Sequence, residues 1–135
     1  MTYALASALQ QSVFKHLTAD AGVTAALGSD LFDAMPTGSL PQIYAVLGSE
    51  EVLDRSDASG PGARHRFTIS VFTSSAGFIV AKEAAAAICD ALVDAPLTLS
   101  RGRLVGIWFE RASAQRLKDG GRSITLLFAA RVEDD

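Results

Sequence analysis

The chain has 135 residues, of which 49% are hydrophobic and 20% charged, with a formal net charge of −3. That length and apolar content suit one domain, residues 1–135, built on one core; they exclude global disorder and disfavour a basic face wrapped around nucleic-acid phosphates. A lone Cys89 excludes an intrachain disulfide and a multi-cysteine zinc site.

Leu5, Leu9, Val13 and Leu17 recur every four residues, with Gln10, Gln11 and Lys15 opposite, which predicts an amphipathic helix. Thr18 or Asp20 can cap a second, shorter helix through "AGVTAAL", and Gly28 is placed to end it in a left-handed conformation. A short strand at Leu31–Asp33 and a loop bounded by Pro36 and Pro41 lead into a strand from Ile43 to Leu53. The segment Arg64–Ser74 alternates, with Phe67, Ile69 and Val71 on one face and Arg66, Thr68 and Ser70 on the other. Between these strands "RSDASGPGARH", Arg55 to His65, reads as an eleven-residue loop, long for a hairpin tip and expected to be mobile until a neighbour orders it.

From Phe78 to Val93, an alanine-rich stretch places Phe78, Ala81, Ala85, Ile88, Cys89 and Leu92 on one helical stripe, and Pro96 follows its end. The remainder is a long hairpin, with Lys118-Asp119-Gly120-Gly121 at its tip suggesting a type I′ turn. The fold class is therefore α+β, a mainly antiparallel sheet with two long helices packed on it, in the order α-α-β-β-β-α-β-β.

Enzyme chemistry finds no motif. Cys89 falls on the apolar stripe and is expected to pack in the core, and His16 at a helix end suits the helix dipole. His65 completes the list of thiol and imidazole groups, spread over separate elements without metal-ligand spacing. Asp54 and Asp57 miss the calcium-loop pattern, and Gly60 and Gly62 lack the Gly-Lys-Ser/Thr of a phosphate loop. Glu50 and Glu51 are adjacent, so on a strand they point to opposite faces. The arginine clusters Arg64/Arg66 and Arg101/Arg103/Arg111 suit solvated faces or inter-subunit ion pairs better than DNA. No cofactor and no metal are expected. The first residues lack a positively charged n-region, and no apolar run nears the roughly 20 residues of a membrane span, so synthesis in the cytoplasm and no membrane partner are expected.

The segments "LTADAGVTAALG", "LFDAMPTGSLPQIYAVLGSEEV", "GARHRFTISVFTSSAGFIVAKEAAAAICDAL", "LTLSRGRLVGIWFERA" and "DGGRSITLLFAARVE" follow one another from Leu17 to Val132. In this order the chain resembles the tail completion, or tail terminator, proteins of long-tailed phages and gene transfer agents. One departure is Gln42 after Pro41, where an aromatic or apolar residue is expected and Tyr44 can take the packing role.

The resemblance implies a structural subunit, not an enzyme. It implies a homo-oligomeric ring of six subunits that caps the tail tube, stops polymerisation of the major tail protein and meets the head connector, with DNA only passing through the channel. A head-completion or neck adaptor role in the same particle is the alternative. If the chain forms a ring, its subunit contacts are expected at Arg55, Asp57, Arg64 and Arg66, in or beside the loop, and at Arg116, Lys118 and Asp119, near the hairpin tip.

Overall fold

The computed structural model describes residues 2–56 and 61–134. Its helices are α1 (Ala6–Ala19), α2 (Ala21–Leu27) and α3 (Ile79–Leu92); its strands are β1 (Leu31–Phe32), β2 (Ile43–Asp54), β3 (Gly62–Thr73), β4 (Arg103–Arg116) and β5 (Arg122–Glu133). The element order is the expected one, and the class is α+β. The strands form one sheet in the order β1-β2-β3-β5-β4. Only the β1–β2 pair is parallel; the other three are antiparallel.

The core lies between one sheet face and the three helices. Leu5, Leu9, Val13 and Leu17 are all buried, so the four-residue spacing did mark the inner stripe of α1. They meet Ile69 and Val71 of β3, Leu126, Phe128 and Val132 of β5, and Ile88 and Leu92 of α3. Asp20, rather than Thr18, caps α2: its Oδ2 accepts a hydrogen bond from the Val23 amide at 3.0 Å. Gly28 ends α2 with φ 63° as expected, but its ψ of −129° lies outside the left-handed helical basin.

Local geometry departs from the sequence reading in three places. The β2–β3 hairpin runs further than expected, to Asp54 and Gly62, and the Arg55 amide donates to the Gly62 carbonyl at 2.8 Å. The connecting loop is therefore confined to residues 55–61. At the other hairpin the tip is not type I′: Gly120 has φ 92°, and Asp119 is not left-handed. The Gly120 amide donates to the Leu117 carbonyl at 3.1 Å and the Leu117 amide to Gly121 at 2.9 Å. This is a three-residue loop that needs a single left-handed glycine. Finally, α3 is turned off by Asp94, at φ 57°, two residues before Pro96.

Two strands carry irregularities. The β2–β3 register shifts between Leu47 and Glu50, and the β4–β5 register shifts between Leu104 and Gly106 and again between Phe109 and Arg111. Each bulge resets which side chains face the core. Tyr44, buried on the sheet face away from the helices, stacks on Phe72 at 5.2 Å and meets the edge of Phe32 at 6.3 Å. It fills the packing role left open by the exposed Gln42.

Candidate assembly surfaces

The residues expected at subunit contacts fall at opposite ends of the sheet. Arg55 lies beside Gly62, which pairs with Glu133, whereas Arg116 pairs with Arg122, itself opposite Thr73. Twelve-residue strands at about 3.3 Å per residue set these ends roughly 36 Å apart. Asp57 lies outside the described residues, as does the central part of its loop. Arg55 is held by its own chain: its guanidinium donates to the Asp54 carbonyl at 2.9 Å, and its carbonyl accepts from Arg131 at 2.9 Å. Asp119 accepts from the Gly121 amide at 2.9 Å and so shapes the tip.

Arg64 and Arg66 do come together, on the sheet face that no helix covers. Both guanidiniums donate to one carboxylate, Glu110, at 2.7 and 3.1 Å. Alternation places Glu110 on this face with Trp108, because Phe109 between them pairs with core Phe128. Arg64 also lies 5.3 Å from the Trp108 ring centroid, a cation–π contact. The Arg64 hydrogen bond, with Arg66 beside it, holds the Glu110 carboxyl below its ordinary range. Such a carboxylate is a fixed counter-ion and has no proton to give near neutrality. This pairing was not visible in the sequence, because Glu110 is 44 residues from Arg66 and reaches it across β5, which lies between their strands.

His65 sits on the other face of β3 and is completely buried, opposite Val52 and Ala130. Its Nδ1 is 3.8 Å from a Glu50 oxygen, and neither ring nitrogen has a hydrogen-bond partner among the described residues. Tyr3 donates its hydroxyl to the same Glu50 carboxylate, which raises the Tyr3 pKa. Burial pushes the His65 pKa down from 6.5, against the opposing pull of Glu50. The unfolded chain therefore binds a proton that the folded ring resists. The stability is fully present above about pH 6.5 and is lost as pH falls below that value and through the lower pKa of the folded state. Thermal unfolding midpoints should drop between pH 7 and 5, and His65→Leu should flatten that slope; an unchanged slope would assign the dependence to other groups.

The expected facing of Glu50 and Glu51 holds, with Glu50 opposite core Phe67 and Glu51 opposite Arg66. Cys89 packs against the core as expected but is only half-buried, and it lines an open groove of about 270 Å³ between α3 and β4. Ala85, Phe109, Ala112, Ile124 and Leu126 complete most of the lining. Burial raises the Cys89 pKa, so the group is a thiol near neutrality and a weak nucleophile. His16 bonds the Ala91 carbonyl at 2.8 Å, tying α1 to α3.

The groove opens toward the outer half of β4, where Arg111 to Arg116 are six successive exposed residues. Arg111 and Arg116 have neither a carboxylate nor a carbonyl partner among the described residues, unlike the seven other arginines.

The family model described as tail completion protein gp17 matches residues 11–133. The chain belongs to that family. Among solved structures, this family member is similar to a chain of the virion of a native gene transfer agent particle, with 55% identity and a TM-score of 0.91. The alignment covers 98% of this chain and 99% of that one. No curated protein matches the chain. No helix among the described residues is long and apolar enough to cross a membrane.

Proposed function

We propose that this tail completion family member is a structural subunit of a phage-like particle of the gene transfer agent type. Six copies form a ring that ends the tail tube and joins it to the head connector. The observation that carries the reading is the 55% identity, over nearly the full length of both chains, with a component of a native gene transfer agent virion. The physical features are consistent with it. The uncovered sheet face presents a rigid Arg64–Glu110–Arg66 clamp suited to a protein partner, and a net charge of −3 suits a channel through which DNA slides without sticking. Assembly takes place in the cytoplasm, before particle release, with the major tail protein and the connector as partners.

Removal of the gene tests this directly. Heads and tails should both be made, with tails of irregular length that stay unjoined in electron micrographs. Normal particles would refute the role. Normal-length tails that fail to join, together with binding to the connector but not the tube protein, would instead assign the neighbouring adaptor role.

A further inference from the structure

We propose that the outer half of β4 is the docking strand for a second copy of this chain, which adds residues 50–53 of its own β2 and so continues the sheet head to tail. This rests on the ring reading and names the surfaces that build it.

The sheet has two open stretches, at opposite edges. On one side, β4 is the terminal strand. Its inner half is protected by two bulges, and the Asp94 amide already bonds the Ile107 carbonyl at 3.1 Å. From Arg111 to Arg116 the register is regular, every residue is exposed, and the side chains at Ala112, Ser113 and Ala114 are small enough for a neighbouring backbone to approach. On the other side, β1 pairs with β2 only at Ala45 and Val46. The β2–β3 register is regular again from Glu50 to Asp54, and no described strand pairs with that half of β2 on its outer side. Neither stretch has a described strand on its outer side, the condition that invites strand addition.

Charge selects the pairing. Residues 47–54 hold Glu50, Glu51 and Asp54 and no base; residues 111–118 hold Arg111, Arg116 and Lys118 and no acid. Within one chain, Arg116 faces Arg122 across the hairpin, a like-charge opposition that weakens the monomer and that an acidic neighbour relieves. Self-pairing of β4 with β4 would oppose bases to bases, so the complementary match is heterologous, the type that closes into rings. Sheet continuity places the partner's Val52, which faces the helix side opposite His65, beside Ala112 and Ala114 at the mouth of the α3–β4 groove.

The test is a cross-linking experiment in a Cys89→Ser background, with ring mass measured by native mass spectrometry, alone and with tail-tube protein added. Val52→Cys combined with Ala112→Cys or Ala114→Cys should give, on oxidation, a covalent ladder up to the ring number. The single-cysteine chains should give no ladder. R111E/R116E should lose the ring while keeping a native circular dichroism spectrum. A ring that forms without a ladder from either double variant, or that survives R111E/R116E, overturns this interface but leaves the ring reading standing. Covalent dimers from Ala114→Cys alone would show β4–β4 pairing instead. A wild-type chain that stays monomeric even with tube protein overturns both.

Discussion

Phe128→Ala is expected to lower the unfolding free energy by about 3–5 kcal/mol, the largest loss of any single truncation in this fold. Phe128 is the largest of the completely buried side chains. It stands directly opposite Phe67 on β3 and Phe109 on β4, stacked on the first at 5.8 Å and edge-on to the second at 6.0 Å. Truncation thus removes two aromatic pairs as well as buried area, and it leaves a cavity where three strands meet beneath α3. Strands held in a sheet cannot close that gap without breaking register. Against a total stability of roughly 5–15 kcal/mol for a domain of this kind, the loss is a large fraction. Chemical denaturation measures it; a change below about 1 kcal/mol would mean the site collapses freely and the described packing is wrong.

Gly102→Ala should cost about 2–4 kcal/mol, from left-handed strain and overpacking together. Gly102 has φ 69°, and an added Cβ would stand 2.5 Å from the Glu133 carbonyl oxygen and closer still to a Leu5 methyl. The carbonyl belongs to the end of β5 and Leu5 is the completely buried residue that begins α1, so neither can move away cheaply. Gly120 supplies the control. It too has positive φ, at 92°, but nothing lies within 4 Å of its added Cβ. Gly120→Ala should therefore cost only about 1 kcal/mol, the backbone contribution alone. Equal losses at the two glycines would show that crowding at Gly102 is not the cause.

These two positions also show how far the sequence could be read. The elements, their order and the inner stripes were legible because they rest on periodicity. Every fourth residue of α1 and every second residue of β5 is apolar, and Ile124, Leu126, Phe128, Ala130 and Val132 are all buried. Bulges break that logic. The insertion between Leu47 and Glu50 carries an acid onto the core side beside His65, and the one between Phe109 and Arg111 puts Arg111 on the same open face as Glu110. Neither has a signature beyond Gly48, whose added Cβ would lie 2.6 Å from the Thr68 hydroxyl.

The burial of His65 had a signal that polarity masked. The alternation of Val71, Ile69 and Phe67 runs back through His65 to Ala63, and both are completely buried. Polar residues and glycine at a strand end read as loop, and so the stretch from Arg55 to His65 looked longer than it is.

The assembly candidates were legible only as charged residues near turns. Which arginines already have partners is a three-dimensional fact: Arg64 and Arg66 share Glu110, whereas Arg111 and Arg116 have no carboxylate or carbonyl partner among the described residues. In the sequence Arg111 stands out only as part of a cluster with Arg101 and Arg103, which bond Asp134 and Glu133 instead.

A reconstruction of the assembled particle by electron cryomicroscopy, with this chain fitted into the density, decides whether the proposed ring exists. Six copies are expected in a closed ring between the last layer of tail tube and the head connector. Density for this chain elsewhere in the particle, or none at that junction, would contradict it.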